Sequence, residues 1–194
     1  MQPLPAQLRA FVALRLSAES AALVAEFIDE VCSLGGGVHW TRAANLHLTL
    51  RFLGDAVPAA IIPALVAALT NISKTTEPFP LTARGTGTFP NPDRPRVVWI
   101  GLHSDRLMRL AERVAGAARE CGFPAEDRAF VPHLTIGRLR DRRGWSRIRD
   151  AITAAADRDC GRSLIDSMTL YRSILGRESP TYEAIAQFPF NAQG

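Results

Sequence analysis

The sequence predicts an α+β fold, with antiparallel sheets carrying helices on one face. Three observations point there. The strand-like segments alternate apolar and polar residues, so each offers one face to a core and one to solvent. Helix-like segments with apolar residues at three- and four-residue spacing are interspersed among them. The chain of 194 residues is 47% hydrophobic, with a mean hydropathy of +0.02, enough apolar material for a sizeable core.

Leu8 to Leu16 alternates and is rich in β-formers, which predicts a first strand. Ser17 is placed to cap a helix running to about Ser33, and Gly35-Gly36-Gly37 ends it. Val38 to Trp40 predicts a short strand and Leu46 to Leu53 a longer one. Pro58 stands at the start of a helix whose apolar face, Ile61, Leu65, Ala68 and Leu69, continues to about Ser73. Phe79 to Phe89 and Arg96 to Leu102 predict strands flanking the turn-rich stretch from Pro90 to Pro95. Ser104 is placed to cap a helix to Cys121 that buries Leu107, Leu110, Val114 and Ala118. Phe130 to Leu139 predicts a strand and Trp145 to about Asp157 a helix. Leu164 to Leu175 and Tyr182 to Phe188 close the chain as strands. The order strand-helix-strand-strand-helix-strand occurs loosely twice, which suggests a duplication. Without a long linker, residues 1–194 are expected to form one domain.

The net charge of +4 suits an anionic ligand without proving one. Of 23 basic residues only Lys74 is lysine; arginine is the better fork for phosphate oxygens, but a GC-rich codon bias explains the excess more readily. Cys32, Cys121 and Cys160 are odd in number and far apart, which argues against a disulfide framework or a zinc site. The start, Met1 to Pro5, does not read as a signal peptide, and no apolar run approaches the ~20 residues that cross a bilayer. A soluble cytoplasmic protein without membrane contact is expected.

One motif occurs twice, as His47-Leu48-Thr49-Leu50 and His133-Leu134-Thr135-Ile136. Each lies in a predicted strand, so His and Thr share one face while the aliphatic residues enter the core. Two such strands facing each other place two imidazoles and two hydroxyls around one cleft. Opening a cyclic phosphodiester needs a base for water and an acid for the departing ribose oxygen, and histidine serves either role near neutrality. Threonine hydroxyls and an arginine can donate to the phosphoryl oxygens, so neither metal nor cofactor is required. A lone His-x-Thr is usually structural; two matching copies among four histidines are harder to dismiss. His39 and His103 have no such partner and read as structural. Arg51, an even offset from His47, is expected to face the cleft and bind substrate phosphate.

These motifs and their flanks resemble the 2H phosphoesterase superfamily, and within it the bacterial and archaeal RNA 2′,3′-cyclic phosphodiesterases, formerly called 2′-5′ RNA ligases. The resemblance runs from Arg9-Ala10-Phe11-Val12-Ala13-Leu14 through Asn45 to Gly54, Gly87 to Pro90, Arg94 to Trp99 and Phe130 to Arg138. It continues into Ser173-Ile174-Leu175 and Pro180-Thr181-Tyr182. It implies a bilobal fold of two pseudo-symmetric lobes, each an antiparallel sheet with outer helices, around a central active-site cleft. It implies hydrolysis of RNA 2′,3′-cyclic phosphate ends to 2′-phosphomonoesters, with reversible 2′-5′ RNA joining in some members; separately, a monomer is expected. By this resemblance His47 is the proton donor, His133 the proton acceptor, and Arg138 a phosphate-binding residue. Simple strand parity sets Arg138 opposite His133, and Gly137 is where a bulge could re-aim it. The arginines from 138 to 149 form either a solvated face or an RNA contact. Phe52, Phe89, Trp99 and Phe130 could stack on a terminal base. Two other functions remain open: a phosphodiesterase of small cyclic or 2′-5′-linked nucleotides, and a non-catalytic RNA-end binder.

Overall fold

Strands with one apolar face need a cover, and the chain supplies it by exchanging helices between two sheets. The computed structural model describes residues 4–176 and 179–191. Its strands are β1 (Gln7–Leu14), β2 (Val38–Trp40), β3 (Leu48–Pro58), β4 (Phe79–Phe89), β5 (Val97–His103), β6 (His133–Leu139), β7 (Asp159–Ile165), β8 (Ser167–Ile174) and β9 (Thr181–Pro189). The helices are α1 (Ala18–Cys32), α2 (Ile62–Lys74), α3 (Leu107–Glu120) and α4 (Trp145–Ala154). One sheet has the order β3-β1-β8-β9 and the other β2-β6-β5-β4-β7, with every pairing antiparallel. This is the α+β, two-lobed arrangement expected.

Helix α1 leaves the first sheet and packs on β7 and β2 of the second, beside α4; α3 leaves the second sheet and packs on β3 of the first, beside α2. Each lobe is thus covered partly by a helix that follows a strand of the other. Val24, Leu65, Leu69, Leu107, Val114 and Ile148, from all four helices, are fully buried in one apolar cluster with the sheets. Aligning the motif strands β3 and β6 matches β3-β1-β8-β9 with β6-β5-β4-β7. Strand β2 is the extra element. It covers the outer edge of β6, whereas β3 is an edge strand. Among the described residues no helix is long and apolar enough to cross a membrane.

Several local expectations shift. Ser17 caps α1 as expected, its hydroxyl accepting the Ser20 N–H at 3.3 Å. Pro58 instead ends β3, and the proline in the first turn of α2 is Pro63. Helix α3 begins at Leu107 rather than after Ser104, whose carbonyl accepts the Leu107 N–H at 3.2 Å. The single strand expected over Leu164 to Leu175 is two strands in different sheets, β7 and β8, separated at Asp166. Ile165 and Met168 are both buried and the polar pair Asp166-Ser167 lies between them, so the alternation slips by one where the chain crosses between lobes.

Candidate active site

Both motifs reach one cavity of about 480 Å³, lined by His47, Thr49, His133, Thr135, Arg138 and Tyr182 among others. The geometry comes from two matching irregularities. In β3, Thr49 lies opposite Ala13 and Arg51 opposite Val12, leaving Leu50 as an extra residue. In β6, Thr135 lies opposite Trp99 and Gly137 opposite Val98, leaving Ile136 extra. Each is a β-bulge, and each reverses the alternation beyond it. After Thr49 come two buried residues, Leu50 and Arg51, then exposed Phe52; after Thr135 come buried Ile136 and Gly137, then exposed Arg138. The bulge thereby returns Arg138 to the face of His133 and Thr135.

The same device removes Arg51. Expected to face the cleft, it is 3% exposed, lies outside the 480 Å³ cavity on the wall of an adjoining one of about 740 Å³, and forms an ion pair with Glu126 at 3.0 Å. Even-offset counting fails because Leu50 takes no partner across the ladder. His39 lies opposite Arg138 in the short β2 ladder, and the His103 Nε2 meets the Arg84 carbonyl at 3.1 Å.

The two catalytic candidates are held alike. His47 Nδ1 lies 2.7 Å from the Asn45 carbonyl, and His133 Nδ1 lies 2.8 Å from the Val131 carbonyl. A carbonyl only accepts, so each Nδ1 must carry a hydrogen and each Nε2 is the titrating nitrogen. His47 Nε2 also lies 3.1 Å from the Thr49 hydroxyl. No such bond joins Thr135 to His133 among the described residues. Both imidazoles are held below the usual histidine pKa, chiefly by burial, with the carbonyl bonds opposing. Arg15, Arg138 and His133 push His47 further down, and Arg138 acts likewise on His133. Arg138 therefore projects its charge onto both.

Aromatic rings pack each imidazole. Phe11 and Tyr182 lie 4.8 and 5.1 Å from the His47 ring, and Phe89 meets His133 edge-on at 5.0 Å. Tyr182 was not among the site residues expected. Its signal lay in the Pro180-Thr181-Tyr182 segment, but only the sheet order β3-β1-β8-β9 brings its ring across the sheet face to His47. Trp99 covers Gly87, where a Cβ would stand 2.3 Å from the indole ring. Of the arginines from 138 to 149, Arg138 alone lines the cavity; Arg142 donates to the Asp93 carbonyl and Arg143 pairs with Asp141 at 2.8 Å. Among the described residues no three His, Cys, Asp or Glu side chains form a metal-binding group.

Residues 20–177 match the family model described as the 2′-5′ RNA ligase superfamily. A protein of Aquifex aeolicus named RNA 2′,3′-cyclic phosphodiesterase is 33% identical, over 93% of this chain and 96% of its own. Its namesake in Thermotoga maritima is 31% identical, over 94% and 96%. Among solved structures, a Thermus thermophilus protein has a TM-score of 0.78 at 27% identity, covering 96% of this chain and 100% of that one. E. coli LigT complexed with NADP+ has a TM-score of 0.75 at 28% identity, covering 97% and 100%. With its two bulged motif strands meeting in one cavity and a family match across most of its length, the chain belongs to the 2′-5′ RNA ligase superfamily.

Proposed function

We propose that this protein opens RNA 2′,3′-cyclic phosphate ends to 2′-phosphomonoesters, using His47 and His133 as an acid–base pair without a metal ion. The observation that carries the reading is that both imidazoles are Nδ1–H tautomers lining the cavity that also holds Arg138. The names of the Aquifex and Thermotoga relatives point to the same substrate. Since both sheets contribute, the chain acts as one unit.

In the reaction, His133 Nε2 takes a proton from water as its oxygen bonds to phosphorus. The phosphorus–O3′ bond breaks, and the proton on His47 Nε2 passes to O3′. Protons balance, and each histidine ends in the other's starting state. Charge accumulates on the phosphoryl oxygens, where Thr49, Thr135 and Arg138 donate. A bound phosphodiester anion also offsets the field of Arg138, raising the pKa of the imidazole that must hold the proton.

The test is an oligonucleotide ending in a 2′,3′-cyclic phosphate, incubated with EDTA, with the product read by phosphorus NMR. A 2′-phosphomonoester formed at the full rate is expected. A 3′-phosphate product, or activity lost in EDTA and restored by a divalent ion, refutes the proposal. The E. coli LigT complexes with NADP+ and 3′-AMP favour a second reading, hydrolysis of small nucleotides. Higher kcat/KM on a cyclic mononucleotide than on the oligonucleotide would select it.

A further inference from the structure

Among the described residues Arg51 is the only buried charged side chain, and its partners lie in the approach to the second motif. Its Nη1 meets Glu126 at 3.0 Å and its Nη2 donates to the Pro124 carbonyl. Both belong to the segment of residues 121–132 that joins α3 to β6. Phe123 anchors the start of that segment to Ala118 at 3.0 Å, and the Pro132 carbonyl accepts from Leu102 at 3.4 Å. Between those points, among the described residues, residues 124–131 make no backbone–backbone hydrogen bond. Near the far end, the Val131 carbonyl accepts the His133 Nδ1–H. The segment and β3 also wall a cavity of about 740 Å³ that meets the active site at Thr49, Phe52 and His133.

We propose that Arg51 is a positioning residue for His133: its guanidinium pins Pro124 and Glu126, and so holds the Val131 carbonyl that orients the catalytic imidazole. A strand of the first motif thereby sets the tautomer of the second. The planar fork suits two acceptors at once, which a lysine ammonium on a flexible stem does not reproduce. A guanidinium keeps its proton even when buried, so the clamp persists throughout the working pH range. The Glu126 carboxylate is partly exposed, 38% of its side chain. The carbonyl bond and the shape of the segment therefore matter as much as the ion pair.

The expected effect on rate rests on the function proposed above, but the structural effect does not. Nitrogen-15 labelled protein is studied by long-range proton–nitrogen NMR above the imidazole titration. In the parent, His133 and His47 are both expected to show the Nδ1–H form. In Arg51→Met, which fills similar volume without a donor, His133 is expected to gain the Nε2–H form while His47 keeps its own. On the cyclic-phosphate oligonucleotide kcat is expected to fall on the order of 10- to 100-fold, as for a slightly misplaced catalytic group. Arg51→Lys should recover part of both losses, and Glu126→Gln, which keeps an acceptor oxygen, should lose less than either. If Arg51→Met does not fold, the graded pair Arg51→Lys and Glu126→Gln carries the same reading. A folded variant whose His133 stays wholly Nδ1–H overturns the proposal, whatever its rate. A parent enzyme inert on cyclic phosphate overturns only the function, since the NMR needs no substrate.

Discussion

Strands β3 and β6 carry the same rhythm of side chains and end it with different chemistry. In both, a threonine faces the cavity, a bulged aliphatic residue enters the core, a second residue points inward, and the next returns outward. The inward positions are Arg51 and Gly137, set opposite the fully buried Val12 and Val98. Their surroundings explain the divergence. Strand β2 lies against β6, and a Cβ at Gly137 would stand 2.8 Å from both Trp40 and Val38. Strand β3 has no such neighbour on its outer edge, so its inward position has room for an arginine that reaches Pro124 and Glu126. The outward positions diverge too. Phe52 presents a ring with the Arg9 guanidinium 4.5 Å above it, whereas Arg138 presents a fork. A repeated scaffold thus pairs the imidazoles and hydroxyls, and the residues after the bulge give one lobe an aromatic surface and the other a cation.

The two histidines are held alike by the two lobes, and losing either should have the largest effect. His47→Ala and His133→Ala are each expected to lower kcat by ~10²–10⁴-fold. The double variant should be little worse than either single, because the pair acts as a unit. Near-normal turnover in one single variant would make its lobe a scaffold only.

Next come the hydroxyls. Thr49→Val and Thr135→Val keep β-branching and remove the donor, and kcat should fall more than KM rises, by up to ~10²–10³-fold. Because Thr49 also bonds His47 Nε2, its variant should move a limb of the pH profile, whereas Thr135→Val should not. Equal pH profiles for the two would erase that asymmetry.

The residues after the bulge should give smaller changes. Arg138→Lys is expected to cost about tenfold in kcat, the size of one charge-assisted hydrogen bond of ~1.5 kcal/mol. Arg143→Lys, whose parent arginine pairs with Asp141 outside the cavity, should leave kcat unchanged. Matching kinetics for these two variants would remove Arg138 from the site. Gly137→Ala is expected to cost ~1–3 kcal/mol of stability through overpacking against Trp40 and Val38. Its thermal melt should drop, and kcat with it, because the bulge that aims Arg138 is disturbed.

The subtlest expectation is the position of the pH optimum. Burial lowers both imidazole pKa values, with the Arg138 field adding to it. The base works above its pKa and the acid below its own, so lowering both moves both limbs of kcat/KM toward acid. The optimum for the free enzyme should lie below the ~6.5 of an unperturbed imidazole. The limbs report apparent values of the pair rather than of one residue. An optimum on the alkaline side would show that the imidazoles are not held neutral by burial. Stability should follow the same sign. A histidine with a lowered folded pKa binds protons more readily unfolded, so melting temperature should decline as pH falls through about 6.5 toward the folded values.

Much of this was legible in the residues. The motif pairs, the alternating strands and the cap at Ser17 are local properties, and local physics places them. The sequence was less informative wherever one strand's geometry depends on another. At Asp166 the chain passes from one sheet to the other with only a two-residue polar interruption, because the choice of sheet lies in what each half pairs with, β4 or β1. Tyr182 reaches His47 through three successive strand pairings across a long separation in the chain.

By itself the sequence determined that His47 shares a face with Thr49 and His133 with Thr135. Successive strand side chains point to opposite faces, and neither bulge falls between a histidine and its threonine. Beyond the threonines the tertiary structure decided. Parity places Arg51 in the cleft and Arg138 outside it, and the bulges at Leu50 and Ile136 reverse both. A bulge belongs to two strands in register, since a residue is extra only relative to the partner that skips it. No reading of β3 or β6 alone could therefore turn one arginine toward Pro124 and Glu126 and the other toward the two histidines; their ladders with β1 and β5 did.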